Sequence, residues 1–391
     1  MAETGSEIVY LDNNATTRVA PEVLEAMLPF LADRYGNPSS MYRFGGTVRR
    51  HVERAREHVA ALIGADADEI VFTSCGSESD NMALKGFCRK HRGLHPRIIT
   101  SAVEHPAVRN TARFLRDDMG GLELAELPVD GEGMITPEVL DNQHIGPHTL
   151  VSMMWANNET GVVFPIREMA EKVKERGGIF HTDAVQAAGK VPINVKEVPL
   201  DMLALSGHKL HAPKGIGAAW FRRGADIAPL IHGGHQEGGY RAGTENVPYI
   251  IGLGRACELA MERLDEENTR VRALRDRLER ELLAKCTGAK LNGHPGRRLP
   301  NTTNISFENI EGEAILLHLD EAGIAASSGS ACTTGSLEPS HVMMAMGIPY
   351  NYAHSSIRFS FSVYNRDSDV ELTVLAMPGI VDKLRSLSPF V

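Results

Sequence analysis

Leu205-Ser206-Gly207-His208-Lys209-Leu210-His211-Ala212-Pro213-Lys214-Gly215 continues directly from the apolar run Met202-Leu203-Ala204-Leu205. Such a run reads as the end of a buried strand. Lys209 then emerges at a strand terminus among small and hydrogen-bonding neighbours, where a desolvated ammonium loses its proton and becomes nucleophilic. That setting suits a lysine that forms a Schiff base with pyridoxal phosphate (PLP), and Ser206 and His208 flank it as candidate phosphate donors. Taken alone, the segment reads equally well as a polar loop carrying one of many lysines, so its neighbours in sequence must decide.

Short β-like runs at residues 98–100, 149–154, 179–182 and 202–205 alternate with helical stretches such as 165–176. The alternation predicts an α/β domain with a mostly parallel sheet. Residues 257–285 are strongly charged and helical in period, with Glu262, Arg263, Asp265, Glu266 and Glu267 as exposed positions, and read as a solvated helix bridging two domains. Beyond them, runs at 302–307, 311–320 and 355–363 predict a smaller α+β domain closed by a C-terminal helix. No internal repeat interrupts this order.

The composition excludes several classes of function. At 391 residues, with 42% hydrophobic and 23% charged residues, the chain is large enough for two cored domains. A net charge of −9 argues against direct binding to nucleic acid, which needs a surplus of Lys and Arg. No apolar run approaches a membrane span, and the first seven residues lack the basic start and apolar core of a signal peptide, so a cytoplasmic protein is expected. Cys75, Cys88, Cys257, Cys286 and Cys332 form an odd set without CxxC spacing, which points away from a disulfide framework or zinc knuckle. The pairs His208/His211 and His232/His235 lack a helical frame and a third ligand, so no resident metal is expected.

Three further segments carry chemistry. Phe72-Thr73-Ser74-Cys75-Gly76-Ser77-Glu78-Ser79-Asp80-Asn81 places small hydroxyl residues and a glycine between a strand and a helix, so Gly76 and Ser77 are candidates for a phosphate cradle. An N-capped helix without a ligand explains the same pattern. No GK[ST] P-loop or GxGxxG opens a helix here. In His181-Thr182-Asp183-Ala184-Val185-Gln186, Asp183 ends a strand at the usual ligand crevice of an open α/β sheet, where it could pair with a pyridinium nitrogen. Asn158, in Asn157-Asn158-Glu159-Thr160-Gly161, could offer an amide to the ring oxygen or simply make a turn. His105, in Ala102-Val103-Glu104-His105-Pro106, could stack on the ring and shuttle protons, with a reference pKa of about 6.5.

In this order the segments resemble the class V branch of fold-type I PLP enzymes, and within it the cysteine desulfurases of the NifS/IscS type. The resemblance runs from Tyr10-Leu11-Asp12-Asn13-Asn14-Ala15-Thr16-Thr17 and Gly36-Asn37-Pro38-Ser39-Ser40 to Arg241-Ala242-Gly243-Thr244-Glu245-Asn246. It is most specific at Ser327-Ser328-Gly329-Ser330-Ala331-Cys332, Leu337-Glu338-Pro339-Ser340 and Ser355-Ser356-Ile357-Arg358-Phe359-Ser360. It implies a large PLP-binding domain over 16–260 with a mostly parallel seven-stranded sheet, and a small C-terminal domain over 261–391 carrying the cysteine loop. Residues 1–15 would join the small domain.

By position, the resemblance makes Lys209 the Schiff-base residue and Asp183 the pyridinium partner, with Gln186 and Asn158 at the ring oxygen and His105 stacked on the ring. Gly76, Ser77, Ser206 and His208 would hold the phosphate, joined by Thr244 from the second subunit of a homodimer. Arg358 would bind the substrate carboxylate through its planar fork, helped by Asn37 and Asn158. The implied reaction converts L-cysteine to L-alanine and leaves a persulfide on Cys332 for a sulfur-acceptor protein such as an iron-sulfur scaffold. Cys332 could then touch a cluster transiently. A thiol of ordinary pKa, about 8.5, is only a few per cent ionised at pH 7, so a base is needed, and His105 is the candidate. Ser328-Gly329-Ser330 and Gly335-Ser336 favour a mobile loop around Cys332. A selenocysteine lyase or another class V aminotransferase is the alternative, and would have no need of Cys332. Two departures stand out: Met41-Tyr42-Arg43 follows Ser40 where the family often has a histidine, and the chain ends at Leu387-Ser388-Pro389-Phe390-Val391 without the longer scaffold-docking tail.

Overall fold

A computed structural model describes residues 8–328 and 339–388. The strands in chain order are β1 (Val9–Tyr10), β2 (Ile70–Thr73), β3 (Arg97–Ser101), β4 (Glu123–Leu127), β5 (Thr149–Ser152), β6 (Ile179–Asp183), β7 (Met202–Ser206) and β8 (Gly217–Phe221). They continue with β9 (Ala289–Asn292), β10 (Thr302–Phe307), β11 (Ile324–Ala325), β12 (Ser327–Ser328) and β13 (Ile357–Ser360). The helices that matter below are α1 (Pro21–Ala32), α2 (Arg43–Ile63), α3 (Gly76–Lys90), α4 (Pro106–Asp118), α5 (Ile166–Glu175) and α6 (Val247–Glu262). After these come α7 (Leu264–Glu266), α8 (Arg272–Lys285), α9 (Gly312–Glu321), α10 (His341–Ala345), α11 (Tyr350–Ala353) and α12 (Asp367–Leu387).

The central sheet has seven strands in the order β2-β8-β7-β6-β5-β3-β4. Only β8 opposes its neighbours; the other six run in one direction. This agrees with the predicted mostly parallel sheet. Every residue of β5 and β7 is buried, as expected of strands covered by helices on both faces. Because the parallel strands share a direction, their C-terminal ends open onto one edge, and the turns that follow β3, β5, β6 and β7 meet there together with the turn from β2 into α3.

A second core lies around the antiparallel sheet β12-β13-β10-β9. Phe307 and Phe359 from this sheet pack with Leu278 of α8, Ile315 of α9 and Val374 of α12, and Val9 and Leu11 from the N-terminal segment join them. β1 pairs in parallel with β11, which ties the start of the chain to this body.

The charged segment 257–285 departs from the single helix predicted. α6 ends at Glu262, and a π-helical turn over Glu267–Val271 separates α7 from α8. The wider turn shifts the helical phase, and Glu267, expected to be exposed, is only 8% exposed. Burial pushes its carboxyl up to about 7, offset in part by Lys190, whose own ammonium burial brings down to about 8.

Candidate active site

The turns at the C-terminal edge of the sheet enclose a chamber of about 310 Å³ that also reaches β13. Lys209 ends the short turn that follows β7, and its Nζ donates to the carbonyls of Asn14 at 2.6 Å and Ala15 at 2.7 Å. Asp183 closes β6, and its Oδ1 accepts the Val185 N–H at 2.9 Å. Burial raises the Asp183 pKa, opposed by the neighbouring His105 and Lys209. His105 caps α4, with Nδ1 accepting the Ala107 N–H at 3.1 Å. That bond places the proton of the neutral ring on Nε2. Burial lowers the His105 pKa, the Asp183 charge acts against this and Lys209 adds to it, so the ring is neutral near pH 7.

α3 begins at Gly76, with Cys75 as an N-cap that makes no side-chain bond to the helix. A helix start of this kind leaves backbone N–H groups for an anion. A Cβ on Gly76 would stand 2.6 Å from Val185 Cγ2 and 3.4 Å from Ser206 Cβ, so only glycine lets the helix start come this close to the β6 turn. Gly76, Ser77, Asn158, Asp183, Gln186, Ser206 and His208 all line the chamber. Arg358 reaches the wall from β13. Its Nη1 donates to the Asn158 carbonyl at 2.9 Å and its Nη2 to Asp12 Oδ1 at 2.7 Å.

The chamber fits PLP. Ser206 Oγ and Gln186 Oε1 are buried without a hydrogen-bond partner among the described residues, and both residues line the cavity. Buried polar atoms are rarely left unpaired in a finished protein. A ligand with an anionic group and a polar ring would satisfy them. Among the described residues there is no group of three or more side chains suited to a metal ion, and no helix long and apolar enough to cross a membrane.

Two of the predicted residues stand apart from this cluster. Thr244 is exposed and does not line the chamber. Asn37 is exposed as well, its Oδ1 accepting the Ser39 N–H at 2.9 Å. Cys332 lies outside the described residues. On one side of that stretch Ser328 lines the chamber. On the other, Ser340 donates to Glu159 and the His341 Nε2 lies 3.0 Å from the Glu104 carbonyl. Cys88, Cys257 and Cys286 are buried and unpaired, and burial pushes their thiols up to about 12, 12 and 11.

Several buried groups at and behind the chamber wall escaped the sequence reading. Asp80 faces His181, with 3.6 Å between Oδ1 and Nε2, and His181 Nδ1 is 2.8 Å from Ser152 Oγ. Burial forces the Asp80 pKa well above its usual range, reinforced by the charges of Asp183, Glu104 and Cys75, and drives that of His181 down to about 3. Asp80 was recoverable in principle, because four residues separate it from Gly76 on the same helix face. Asp12 and Asn14 lie in a quoted motif, but nothing local links them to Arg358 or Lys209.

The sequence profile described as Aminotransferase class-V matches residues 9–373. The chain is 55% identical over 384 residues to a cysteine desulfurase of Trichormus azollae, covering 98% of this chain and 95% of that one. It is 52% identical over 383 residues to the cysteine desulfurase NifS of Azotobacter vinelandii, with 98% and 94% covered. A solved structure of a NifS-like protein superposes with a TM-score of 0.88 at 38% identity, covering 97% of this chain and 99% of that one. With a profile match spanning almost all of its length and relatives this similar from end to end, the chain belongs to the class V aminotransferase family.

Proposed function

We propose that this protein is a PLP-dependent cysteine desulfurase that converts L-cysteine to L-alanine and passes the sulfur through a persulfide on Cys332. The observation that carries the reading is the convergence on one chamber of Lys209, Asp183, His105 and Arg358 from four separate parts of the chain. The relatives named cysteine desulfurase support the same chemistry.

Lys209 would hold the cofactor covalently, Asp183 would keep a proton at its ring nitrogen, and Gly76, Ser77, Ser206 and His208 would receive its phosphate, with Asn158 and Gln186 at its ring oxygen. Bound there, PLP supplies an electrophilic carbon for the substrate amine and a ring that withdraws electrons from Cα. Arg358 orients the amino acid by its carboxylate, a role for Asn158 through its carbonyl grip on Nη1. Lys209 Nζ, when not bonded to the cofactor, would be the base that takes the Cα proton. His105 carries its proton on Nε2, so toward a thiolate it is a hydrogen-bond donor. We therefore assign it stabilisation of the Cys332 thiolate, and the base role expected from sequence would fall to this ring only with Nε2 free of its proton.

We propose a homodimer as the active unit. On α1, Leu24, Leu28 and Leu31 form an apolar stripe at helical spacing, and Tyr35, Met41 and Tyr42 follow it, each of the six at least 49% exposed. A patch of this kind marks a protein interface, and a partner subunit would bring Thr244, and with it Asn37, to the site they do not reach within one chain. We place the domain boundary near residue 260, where the chain leaves the core containing Leu259 for the one containing Val271. Unpaired cysteines support a reducing, cytoplasmic setting, with an acceptor protein such as an iron-sulfur scaffold taking the sulfur.

The test is Cys332→Ala. It should retain the cofactor and bind L-cysteine, yet form almost no alanine. In the wild-type protein, labelled sulfur from L-cysteine should be found on the Cys332 peptide before reductant is added. Alanine formation at the wild-type rate by Cys332→Ala would overturn the persulfide route and favour the selenocysteine lyase or aminotransferase readings.

A further inference from the structure

The guanidinium of Arg358 is held asymmetrically. Nη1 is occupied by the Asn158 carbonyl and Nη2 by the Asp12 carboxylate. Nε is buried and has no partner among the described residues. With Nη1 on a backbone carbonyl and Nη2 on the Asp12 carboxylate, the guanidinium donor left for an incoming carboxylate is Nε, and the contact to Asp12 sets which way that donor faces. An arginine side chain has enough torsional freedom that its head group points where its partners fix it.

Asp12 is itself fixed by backbone. The Asn13 N–H donates to the Ser360 carbonyl at 3.1 Å, and the Ser360 N–H donates to the Leu11 carbonyl at 2.7 Å. The backbone on either side of Asp12 is thereby laced to β13 two residues from Arg358. The next residues of the same turn, Asn14 and Ala15, accept Lys209 Nζ. One turn of the N-terminal segment thus sets the relative positions of the lysine that meets the substrate amine and the arginine that meets its carboxylate.

We propose that Asp12 is a positioning residue for amino-acid recognition: it presents the Nε edge of Arg358 to the substrate carboxylate and so sets the preference for α-amino acids over amines that lack one. The proposal rests on the reading of Arg358 given above. Because the contribution is orientational, an oxygen acceptor at position 12 should preserve most of it even without charge.

The experiment compares the affinity of the holoenzyme for L-alanine, the product, with that for ethylamine, the same amine without a carboxylate, followed by the absorbance of the bound cofactor. The ratio of the two Kd values reports carboxylate recognition alone. Arg358→Ala should abolish the preference. Asp12→Ala should reduce it by about tenfold to a hundredfold, the range expected for one charge-assisted hydrogen bond, with ethylamine affinity unchanged. Asp12→Asn should recover most of the loss. If Asp12→Ala does not fold or does not hold cofactor, Asp12→Ser, too short to reach Nη2, is measured instead. A ratio within about twofold of wild type in the Ala or Ser variant, alongside a collapsed ratio in Arg358→Ala, overturns the role of Asp12. Failure of Asp12→Asn to recover the ratio overturns its orientational basis. An intact ratio in Arg358→Ala refutes the reading of Arg358 itself.

Discussion

Glu104 offers a quantitative test of the polar layer beneath the chamber. Its side chain is fully buried, Oε1 accepts the Ser101 hydroxyl at 2.6 Å and the Met154 N–H at 3.0 Å, and Oε2 has no partner among the described residues. Burial pushes its pKa up to about 8, helped by the charge of Asp183 and opposed by the two hydrogen bonds. A raised carboxyl means that between the ordinary value of 4.5 and about 8 the folded protein holds a proton that the unfolded chain has released. Its contribution to stability is therefore present at low pH and lost as pH rises through that window. At about 1.4 kcal/mol per pH unit, the loss between pH 5 and pH 7.5 comes to about 3 kcal/mol. Glu104→Gln keeps the Oε1 acceptor, replaces the protonated oxygen with an NH₂ and has no proton to lose. Urea unfolding can be followed by the fluorescence of Trp155 and Trp220, both buried. The variant should be close to wild type at pH 5 and more stable by about 3 kcal/mol at pH 7.5. Equal stability differences at the two pH values would mean that Glu104 is ionised in the folded protein, and the argument from burial would fail.

Two other outcomes are expected. Gly76→Ala should weaken cofactor binding by at least about tenfold in equilibrium dialysis, because the Cβ contact at 2.6 Å from Val185 forces the helix start and the β6 turn apart; unchanged affinity would move the phosphate site elsewhere. Leu28→Glu combined with Leu31→Glu, at positions 53% and 55% exposed, should shift sedimentation from dimer to monomer without changing the far-ultraviolet dichroism. A dimer that persists would place the interface on another face.

The fold class was legible because its signals are local. A fully buried parallel strand writes itself as a short apolar run, as 202–205 and 149–152 do, and the polar residues that follow mark the C-terminal edge where ligands gather. Lys209, Asp183 and His105 could be picked out for this reason, each standing at or just after a strand end. Where the local signal was ambiguous, reading failed: the charge run through Glu267 looked solvated, but a π-helical turn rotates that residue inward against Lys190.

Amino-acid order alone thus determined the alternation of strands and helices, the chemical type of each candidate group and the motifs that carry the family resemblance. Tertiary structure decided which groups share a chamber and what state each is in. Asp12 meets Arg358 across 346 positions of sequence, Asn14 meets Lys209 across 195, and no periodicity encodes either pairing. The same holds for protonation. The ordinary pKa of a residue follows from its type, but the shifts at Glu104, Asp80 and His181 arise from loss of water, joined at Glu104 and Asp80 by nearness of charge. Both exist only once the chain has closed around them.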